Sequence, residues 1–296
     1  MGSDSINLLE FHEIDDEQGV KRTYSYYSKS SYHLHTDKQM VDIVDSVLWG
    51  QMLFLDGVLQ STTRDEVIYH TALVHPLLDT LREKKTILIL GGGEGATARE
   101  VLRWKNVESV VMIEYDKELV ELMKQEGRSW SQDSFNDPRL TVIYDDAWKY
   151  MENNSKSYNG IIIDLTDPDL TKDNWKPLLE NVIKSVKGIS RGGFVMNAGL
   201  YTPWNTERLI VLKGMIEEVC LANPEFKYYM YTSMIPSFNG EWVFIVMSHK
   251  CRQMIEPDHI NVIPKWIRRT IRNLDSILID EPINTNPTLS ELSSFL

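Results

Sequence analysis

Cysteine is scarce in this protein. Only Cys220 and Cys251 occur among 296 residues, and neither belongs to a Cys-x-x-Cys pair or to a Cys/His pattern with metal-ligand spacing. A disulfide framework and a zinc site are therefore not expected. Because disulfides are rare in reducing compartments, the low cysteine content also favours a cytoplasmic protein.

Long hydrophobic runs and an excess of basic charge are also absent from the sequence. No stretch reaches the roughly 18 apolar residues that a membrane span needs, and residues 1–5 lack the basic and apolar regions of a signal peptide. The formal net charge is −12, from 43 acidic and 31 basic residues, which would repel the phosphates of nucleic acid. Neither a membrane nor a nucleic-acid partner is expected. The acidic balance suits a cationic substrate, although a solvated acidic surface explains it more simply.

A glycine-rich turn organises the rest of the chain. Residues 87–90 read Ile-Leu-Ile-Leu, residues 91–95 read Gly-Gly-Gly-Glu-Gly, and helical spacing begins at Thr97. This strand–turn–helix pattern opens a nucleotide-binding α/β unit, in which Gly91 and Gly93 let the backbone approach a ligand closely. Glu94 would repel a pyrophosphate at the helix N-terminus. The motif therefore predicts a phosphate-free, cationic nucleoside, such as an S-adenosyl compound, rather than a dinucleotide.

Strand and helix patterns alternate from residue 86 onward. The alternation predicts an α/β fold, a Rossmann-like doubly wound parallel sheet with helices on both faces, closed by an antiparallel pair. Strands are predicted at 87–90, 109–113, 140–144, 161–164, 194–197, 228–232 and 243–248, and helices near 96–105, 117–128, 146–153, 175–187 and 205–221.

A small antiparallel β domain is predicted before this sheet. Short alternating runs over residues 8–60 indicate its strands, and Asp56-Gly57 predicts a tight turn between two of them. The chain is accordingly divided into an N-terminal β-sheet domain, residues 1–64, and a Rossmann-like catalytic domain, residues 65–296.

Three further features concern the helices and the C-terminal part of the chain. A helix is predicted over 65–82, and Pro76 is expected to kink or split it. Residues 252–275 are expected to be basic and partly helical, and a polar tail follows from about 281.

Acidic residues follow the predicted parallel strands, where open α/β sheets bind their ligands. Glu114 lies 21 residues after Gly93, close to the spacing of about 20 expected for an acid that binds ribose hydroxyls. Asp145, Asp146 and Ala147 follow the next strand, where a carboxylate can accept from the adenine amino group or cap the following helix. Each acid alone is explained as well by helix capping, so their coincidence is the informative observation.

Two further carboxylates end the fourth parallel strand. Asp164 and Asp167 lie three residues apart on a turn, which suits a cation or an amine that must lose a proton. A hard-metal site is a weaker hypothesis, because no third ligand follows with suitable spacing.

Six motifs in order resemble those of the aminopropyltransferases, the family of spermidine, spermine and thermospermine synthases. They are Leu-Asp-Gly-Val-Leu-Gln at 55–60, Asp-Glu-Val-Ile-Tyr-His at 65–70, Gly-Gly-Gly-Glu-Gly-Ala-Thr-Ala-Arg-Glu at 91–100, Asp-Pro-Arg-Leu at 137–140, Asp-Leu-Thr-Asp-Pro at 164–168 and Ile-Pro-Ser-Phe at 235–238. The resemblance covers about residues 53–248. Tyr69-His70, Glu94, Asp164-Leu165 and Phe238 are most similar to thermospermine or spermine synthases.

The resemblance implies transfer of an aminopropyl group from decarboxylated S-adenosylmethionine to a polyamine, with methylthioadenosine as product and no prosthetic group or metal. Spermidine is the predicted acceptor, and Asp164 is the predicted base or orienter of the attacking nitrogen. The acceptor is expected to contact Tyr69, Asp167, Phe238 and Trp242. The donor is expected to contact Gln60, His70, Gly91, Gly93, Glu94, Glu114, Asp145, Asp146 and Ala147. Open edges of the N-terminal sheet would suit a homodimer or homotetramer.

Three departures from the family pattern leave alternatives open. Asn197 stands where the family usually has Gln, Phe238 replaces a frequent Tyr, and residues 169–176 diverge from the usual lid. The alternatives are a spermidine synthase that uses putrescine, an S-adenosylmethionine-dependent amine N-methyltransferase, and an inactive regulatory homologue. Glu94 opposes the methyltransferase, because it would repel the α-carboxylate of the intact donor.

Overall fold

The structure of the protein is a computed structural model that describes residues 8–15, 19–28, 31–168, 175–189, 192–202, 206–249 and 271–273. The described strands are β1 (Leu8–Asp15), β2 (Val20–Tyr27), β3 (Tyr32–His35), β4 (Met40–Ser46), β5 (Gly50–Leu55), β6 (Val58–Thr62), β7 (Thr86–Gly91), β8 (Ser109–Glu114), β9 (Leu140–Tyr144), β10 (Gly160–Asp164), β11 (Gly193–Tyr201), β12 (Phe226–Ile235), β13 (Gly240–His249) and β14 (Ile271–Asn273). The described helices are α1 (Glu66–Thr80), α2 (Ala96–Leu102), α3 (Lys117–Gln125), α4 (Arg128–Ser131), α5 (Ala147–Asn153), α6 (Trp175–Lys187) and α7 (Glu207–Ala222).

The first sheet is antiparallel, as the sequence predicts. Its order is β1-β2-β4-β5-β6, and β3, a strand that the sequence did not reveal, pairs with β4. Asp56 and Gly57 connect β5 to β6 with φ angles of 49° and 80°, since a tight hairpin turn with the matching twist needs positive φ at both positions. The predicted turn is therefore confirmed.

The second sheet is the predicted Rossmann-like sheet. Its order is β14-β12-β13-β11-β10-β7-β8-β9, and β9, β8, β7, β10 and β11 run parallel. Leu88 and Leu90 pack in the core with α6 and α7, whereas Ile87 and Ile89 pack on the other face with α1 and α2. Both sets are fully buried, because the period of two in a strand sends successive side chains to opposite helical layers.

Helix α1 continues through Pro76, so the proline does not split the helix, and a kink at this position stays a prediction. Proline lacks the N–H that would bond to the carbonyl four residues earlier. That carbonyl belongs to Ala72, and it accepts a hydrogen bond of 2.7 Å from the Tyr231 hydroxyl instead. The buried acceptor is satisfied from β12, which removes the main reason for a break.

The C-terminal expectations are tested only at one place. Residues 271–273 form a strand that pairs with β12. Residues 252–270, 274–275 and the tail from about 281 lie outside the described residues, so the partly helical character of 252–275 stays a prediction. The 64/65 domain boundary stays a prediction, with β6 ending at Thr62 and α1 beginning at Glu66. None of the described helices is long and apolar enough to cross a membrane.

Candidate active site

A cavity of about 620 Å³ lies where the parallel strands end beneath the first sheet. Strand register brings its acids together, because Asp164 pairs with Gly91 and the end of β8 pairs with the end of β9. All of the predicted site residues except Asp145 line the cavity: Gln60, Tyr69, His70, Gly91, Gly93, Glu94, Glu114, Asp146, Ala147, Asp164, Asp167, Phe238 and Trp242.

Asp164 lies at the end of β10 and lines the cavity. Its Oδ2 accepts from the Thr97 hydroxyl at 2.6 Å, and its Oδ1 accepts from the Tyr69 hydroxyl at 3.2 Å. Burial and the nearby Glu94 carboxylate raise the pKa of Asp164 to about 6, against the lowering effects of His70, Thr97 and Tyr69. The two hydroxyls fix the carboxylate, so the site offers an oriented proton acceptor for a cationic ligand.

His70 lies between two carboxylates. Its Nε2 is 2.6 Å from Glu94 Oε1, and its Nδ1 is 2.9 Å from Glu66 Oε2. Burial alone would lower the pKa of His70, but the hydrogen bonds with Glu66 and Glu94 raise it to about 10. Burial likewise opposes ionisation of Glu94, yet the hydrogen bond from His70 holds the pKa of that carboxyl below its usual value. This side of the cavity therefore carries an imidazolium and an ionised carboxylate at neutral pH.

A metal ion fits these residues poorly. One ligand atom each from His70, Glu94 and Asp164 lies within 4.8 Å of the others. However, both nitrogens of His70 bond to carboxylates, and an imidazolium has no lone pair to give to a metal. The cluster instead suits an organic cation, which needs carboxylates but no imidazole ligand.

Glu114 is the last residue of β8 and lies beside the glycine turn. Burial raises its pKa to about 7, with Glu94 and Asp116 adding to the rise against the backbone N–H groups of Asp116 and Tyr115. A Cβ on Gly93 would lie 3.1 Å from Glu114 Oε2, so only glycine leaves this carboxylate unobstructed. The side chain is therefore presented to the cavity beside the turn.

The acids after β9 differ from each other in placement. Asp146 lines the cavity and also caps α5, with its Oδ1 accepting from the Lys149 N–H at 3.0 Å. Asp145 is not among the lining residues, and its Oδ1 accepts from the Asp146 N–H at 2.9 Å. The contact of Asp145 with the donor stays a prediction.

Aromatic rings enclose the side of the cavity opposite to Glu114. The Tyr69 ring centroid lies 6.2 Å from that of Phe238 and 6.5 Å from that of Trp242, and Phe238 and Trp242 are 4.6 Å apart. Such rings can surround an ammonium group through cation–π attraction and can pack on methylenes.

Asn197 holds this aromatic wall in place. Its Oδ1 accepts from the Trp242 indole at 3.0 Å and from the Gly199 N–H at 2.8 Å, while its Nδ2 donates to the Leu165 carbonyl at 3.0 Å. Its side-chain oxygen and one N–H are thus used to position Trp242 and the loop after Asp164.

Two other predicted residues, Asp167 and Gln60, have polar contacts with neighbouring groups. Asp167 lies 3.9 Å from the Arg208 guanidinium and is partly exposed. Gln60 donates to the Val58 carbonyl at 3.2 Å. Of the divergent stretch 169–176, residues 169–174 lie outside the described residues.

Sequence reasoning missed several residues of the site. Thr97 does not line the cavity but donates to Asp164, and the sequence predicted it only as the start of a helix, although its position two residues after Gly95 was a usable signal for a side chain near the turn. Gln39 and Lys38 line the cavity; they come from the β3–β4 turn, which is tied to the Rossmann-like sheet by the 2.9 Å bond from Gln39 Nε2 to Asp116. No local pattern predicts that contact, since 77 residues separate its partners.

The chain is similar to proteins of known family. The family profile of the Spermine/spermidine synthase domain matches residues 66–257. A polyamine aminopropyltransferase of Sulfolobus acidocaldarius is 35% identical over 226 residues, covering 75% of this chain and 71% of the relative. One of Saccharolobus solfataricus is 37% identical over 213 residues, covering 71% and 69%.

A solved structure has the same fold. The spermidine synthase of Thermotoga maritima superimposes with a TM-score of 0.72 at 21% identity, covering 88% of each chain. The matched domain and the similarity to these relatives show that the chain belongs to the spermine/spermidine synthase family, the polyamine aminopropyltransferases.

Proposed function

We propose that this protein transfers an aminopropyl group from decarboxylated S-adenosylmethionine to spermidine and releases methylthioadenosine. The observation that carries the proposal is the convergence of Glu94, His70 and Asp164 within 4.8 Å in a cavity that also contains Glu114 and Asp146. The donor carries a sulfonium and an amine, and the acceptor carries several ammonium groups. A cavity lined with carboxylates attracts both.

The donor is proposed to lie along the ends of β7, β8 and β9. Glu94 accepts from its primary amine, Glu114 binds the ribose hydroxyls and Asp146 accepts from the adenine amino group, with Gln60, His70 and Ala147 completing the contacts. Gly91 and Gly93 permit close approach of the turn to the nucleoside. The order amine, ribose, adenine matches the order of β7, β8 and β9 in the sheet.

The acceptor is proposed to lie against Tyr69, Phe238 and Trp242, with Asp167 at a distal ammonium. An alkyl amine titrates near about 10.4, so almost all of it is protonated at neutral pH and cannot attack. As the nitrogen forms its bond to the aminopropyl carbon, the C–S bond breaks and its electron pair neutralises the sulfonium. Asp164 orients the nitrogen and receives its proton. Holding the two reactants in line supplies much of the rate enhancement.

Acceptor choice is tested with three amines. Purified protein and decarboxylated donor are incubated separately with putrescine, spermidine or spermine, and methylthioadenosine release is measured. We expect the highest kcat/KM with spermidine, because the Phe238–Trp242 wall offers apolar surface to a longer chain than putrescine. Turnover with putrescine alone would contradict spermidine as the acceptor. If none of the three amines led to methylthioadenosine release, aminopropyl transfer itself would be contradicted.

Donor binding is expected to strengthen as pH rises from 5.5 to 8. The raised pKa of Glu114, about 7, means that this carboxyl binds a proton in the free protein below that value. A cationic donor favours its ionised form, so binding must expel that proton at low pH. We expect donor binding, measured by calorimetry, to be at least about tenfold weaker at pH 5.5 than at pH 8. Equal Kd at both pH values would contradict Glu114 as a donor ligand.

We also propose a cytoplasmic homodimer or homotetramer. The low cysteine content supports the compartment. Exposed apolar side chains on the outermost strand of the first sheet, Leu8, Leu9 and Ile14, support self-association. A light-scattering mass of a single chain at micromolar concentration would contradict the assembly.

A further inference from the structure

Two ionic side chains lie behind the cavity without lining it. Glu66 begins α1, and its Oε2 bonds to His70 Nδ1 at 2.9 Å. Arg99 of α2 donates to both oxygens of Glu66 at 2.8 Å each. Neither Glu66 nor Arg99 is among the lining residues, whereas His70 and Glu94 are. The row Glu94–His70–Glu66–Arg99 therefore connects the cavity wall to the interior.

Burial makes the protonation of His70 depend on Glu66. The exposed fraction is 2% for His70 and 7% each for Glu66 and Arg99. A buried imidazole with one carboxylate partner gains less from a second proton, and desolvation favours its neutral form. A neutral imidazole carries only one N–H. If that proton stays on Nδ1, where the Glu66 carbonyl oxygen also lies at 2.8 Å, the Nε2 lone pair faces the Glu94 carboxylate and repels it.

The geometry points to a positioning role: we propose that Glu66, fixed by Arg99, keeps both nitrogens of His70 protonated, so that His70 holds Glu94 towards the primary amine of the donor. This inference rests on the proposed function, in which Glu94 binds that amine. His70 Nε2 occupies Oε1 of Glu94 and leaves Oε2 for the amine. Removing the charge of Glu66 would then weaken donor binding without any change in a residue that touches the donor.

Arg99 makes Glu66 rigid as well as charged. Besides its fork on Glu66, the guanidinium donates to the Trp130 carbonyl at 2.6 Å and to Glu100 Oε1 at 2.9 Å. A two-pronged contact restricts the carboxylate to one orientation. The buried Glu66 carboxylate is thus balanced by Arg99 on one side and by His70 on the other, which keeps it ionised: its pKa is lowered by both partners despite the opposing effect of burial.

The test compares two ligands that differ at the amine. Decarboxylated S-adenosylmethionine carries the sulfonium and the primary amine, whereas methylthioadenosine shares the nucleoside but has neither. For Glu66→Gln we expect Kd and KM for the donor to rise about 10- to 100-fold, as for other residues that orient a ligand-binding histidine. We expect kcat at saturating donor to stay within about threefold, and Kd for methylthioadenosine to stay within about twofold.

Glu100→Gln is the matched control. Glu100 is also buried and bonds to the same Arg99, but it contacts His75 rather than His70. We expect this variant to lose thermal stability while its donor KM remains near the wild-type value. The positioning role would be overturned if Glu66→Gln left the donor Kd unchanged. It would also be overturned if the variant lost as much affinity for methylthioadenosine as for the donor.

Glu66→Asp keeps the test decisive should the Gln variant not fold. It retains the charge but is one methylene shorter, so it cannot keep both the fork with Arg99 and the bond to His70. We expect the donor Kd of this variant to rise about three- to tenfold while its methylthioadenosine Kd stays unchanged. A donor Kd equal to that of the wild-type protein would overturn the inference. Wild-type protein that neither binds nor turns over the decarboxylated donor would instead contradict the proposed function itself.

Discussion

Replacing Asp164 with Asn is expected to lower kcat by about 10²- to 10⁴-fold, the range for loss of a positioned proton acceptor. The amide has nearly the same shape, so Thr97 can still donate to the side-chain oxygen, as it now does at 2.6 Å. It cannot, however, receive the proton of the attacking nitrogen. We expect donor Kd to remain within a few-fold of wild type, because Glu94, Glu114 and Asp146 are unchanged. Single-turnover methylthioadenosine release, with calorimetric donor binding, measures the two effects separately.

Asp79→Asn provides the control for that experiment. Asp79 is an exposed aspartate near the end of α1 and does not line the cavity, so its amidation changes the net charge by the same amount. We expect kcat to stay within about twofold of wild type. An Asp164→Asn protein that turns over as fast as the Asp79→Asn protein would remove Asp164 from the chemical step.

The second large effect is expected from Gly91→Ala. Gly91 has a φ of 85°, and a Cβ there would overlap the backbone oxygen and carbon of Asp164 on the neighbouring strand. The strained backbone costs about 1–3 kcal/mol, and the overlap adds to this because main-chain atoms cannot turn away. We expect the free energy of unfolding to fall by more than about 3 kcal/mol. Activity should fall as well, since β10 must move and takes Asp164 with it.

Gly214→Ala is the opposite case in the same protein. Gly214 lies within α7, and a Cβ there would meet no atom within 4 Å. The substitution is expected to raise the free energy of unfolding by about 0.5–1 kcal/mol, because alanine loses less conformational freedom in a helix. Thermal and urea unfolding of the two variants gives both values. Equal stability of the Gly91→Ala and wild-type proteins would contradict the close approach of β7 and β10.

The elements that position the candidate site were predictable because their signals are local. Four consecutive apolar residues before the glycine turn indicated β7, and alternation with helical spacing indicated the layered sheet. The acids at the ends of the parallel strands followed from that topology, since parallel strands end at one edge. Glu94, Glu114 and Asp164 therefore appear together in the cavity as expected.

Only the tertiary structure distinguished the roles of some residues that the sequence pattern left ambiguous. Either Asp145 or Asp146 could cap α5 by sequence, yet Asp146 is the cap and lines the cavity, whereas Asp145 accepts from the Asp146 N–H and does not line it. Pro76 looked like a helix breaker until Tyr231, 159 residues away, supplied the missing donor.

The sequence by itself determined the alternation of the parallel strands with their helices, the glycine turn and the acidic character of the cavity, because short-range periodicity and strand direction fix all three. The tertiary structure alone decided how the charges are paired. Glu94 and His70 are 24 residues apart, and Arg99 reaches Glu66 across 33 residues. Such pairings depend on which side chains burial brings together and leaves to neutralise one another, and no local pattern records that outcome.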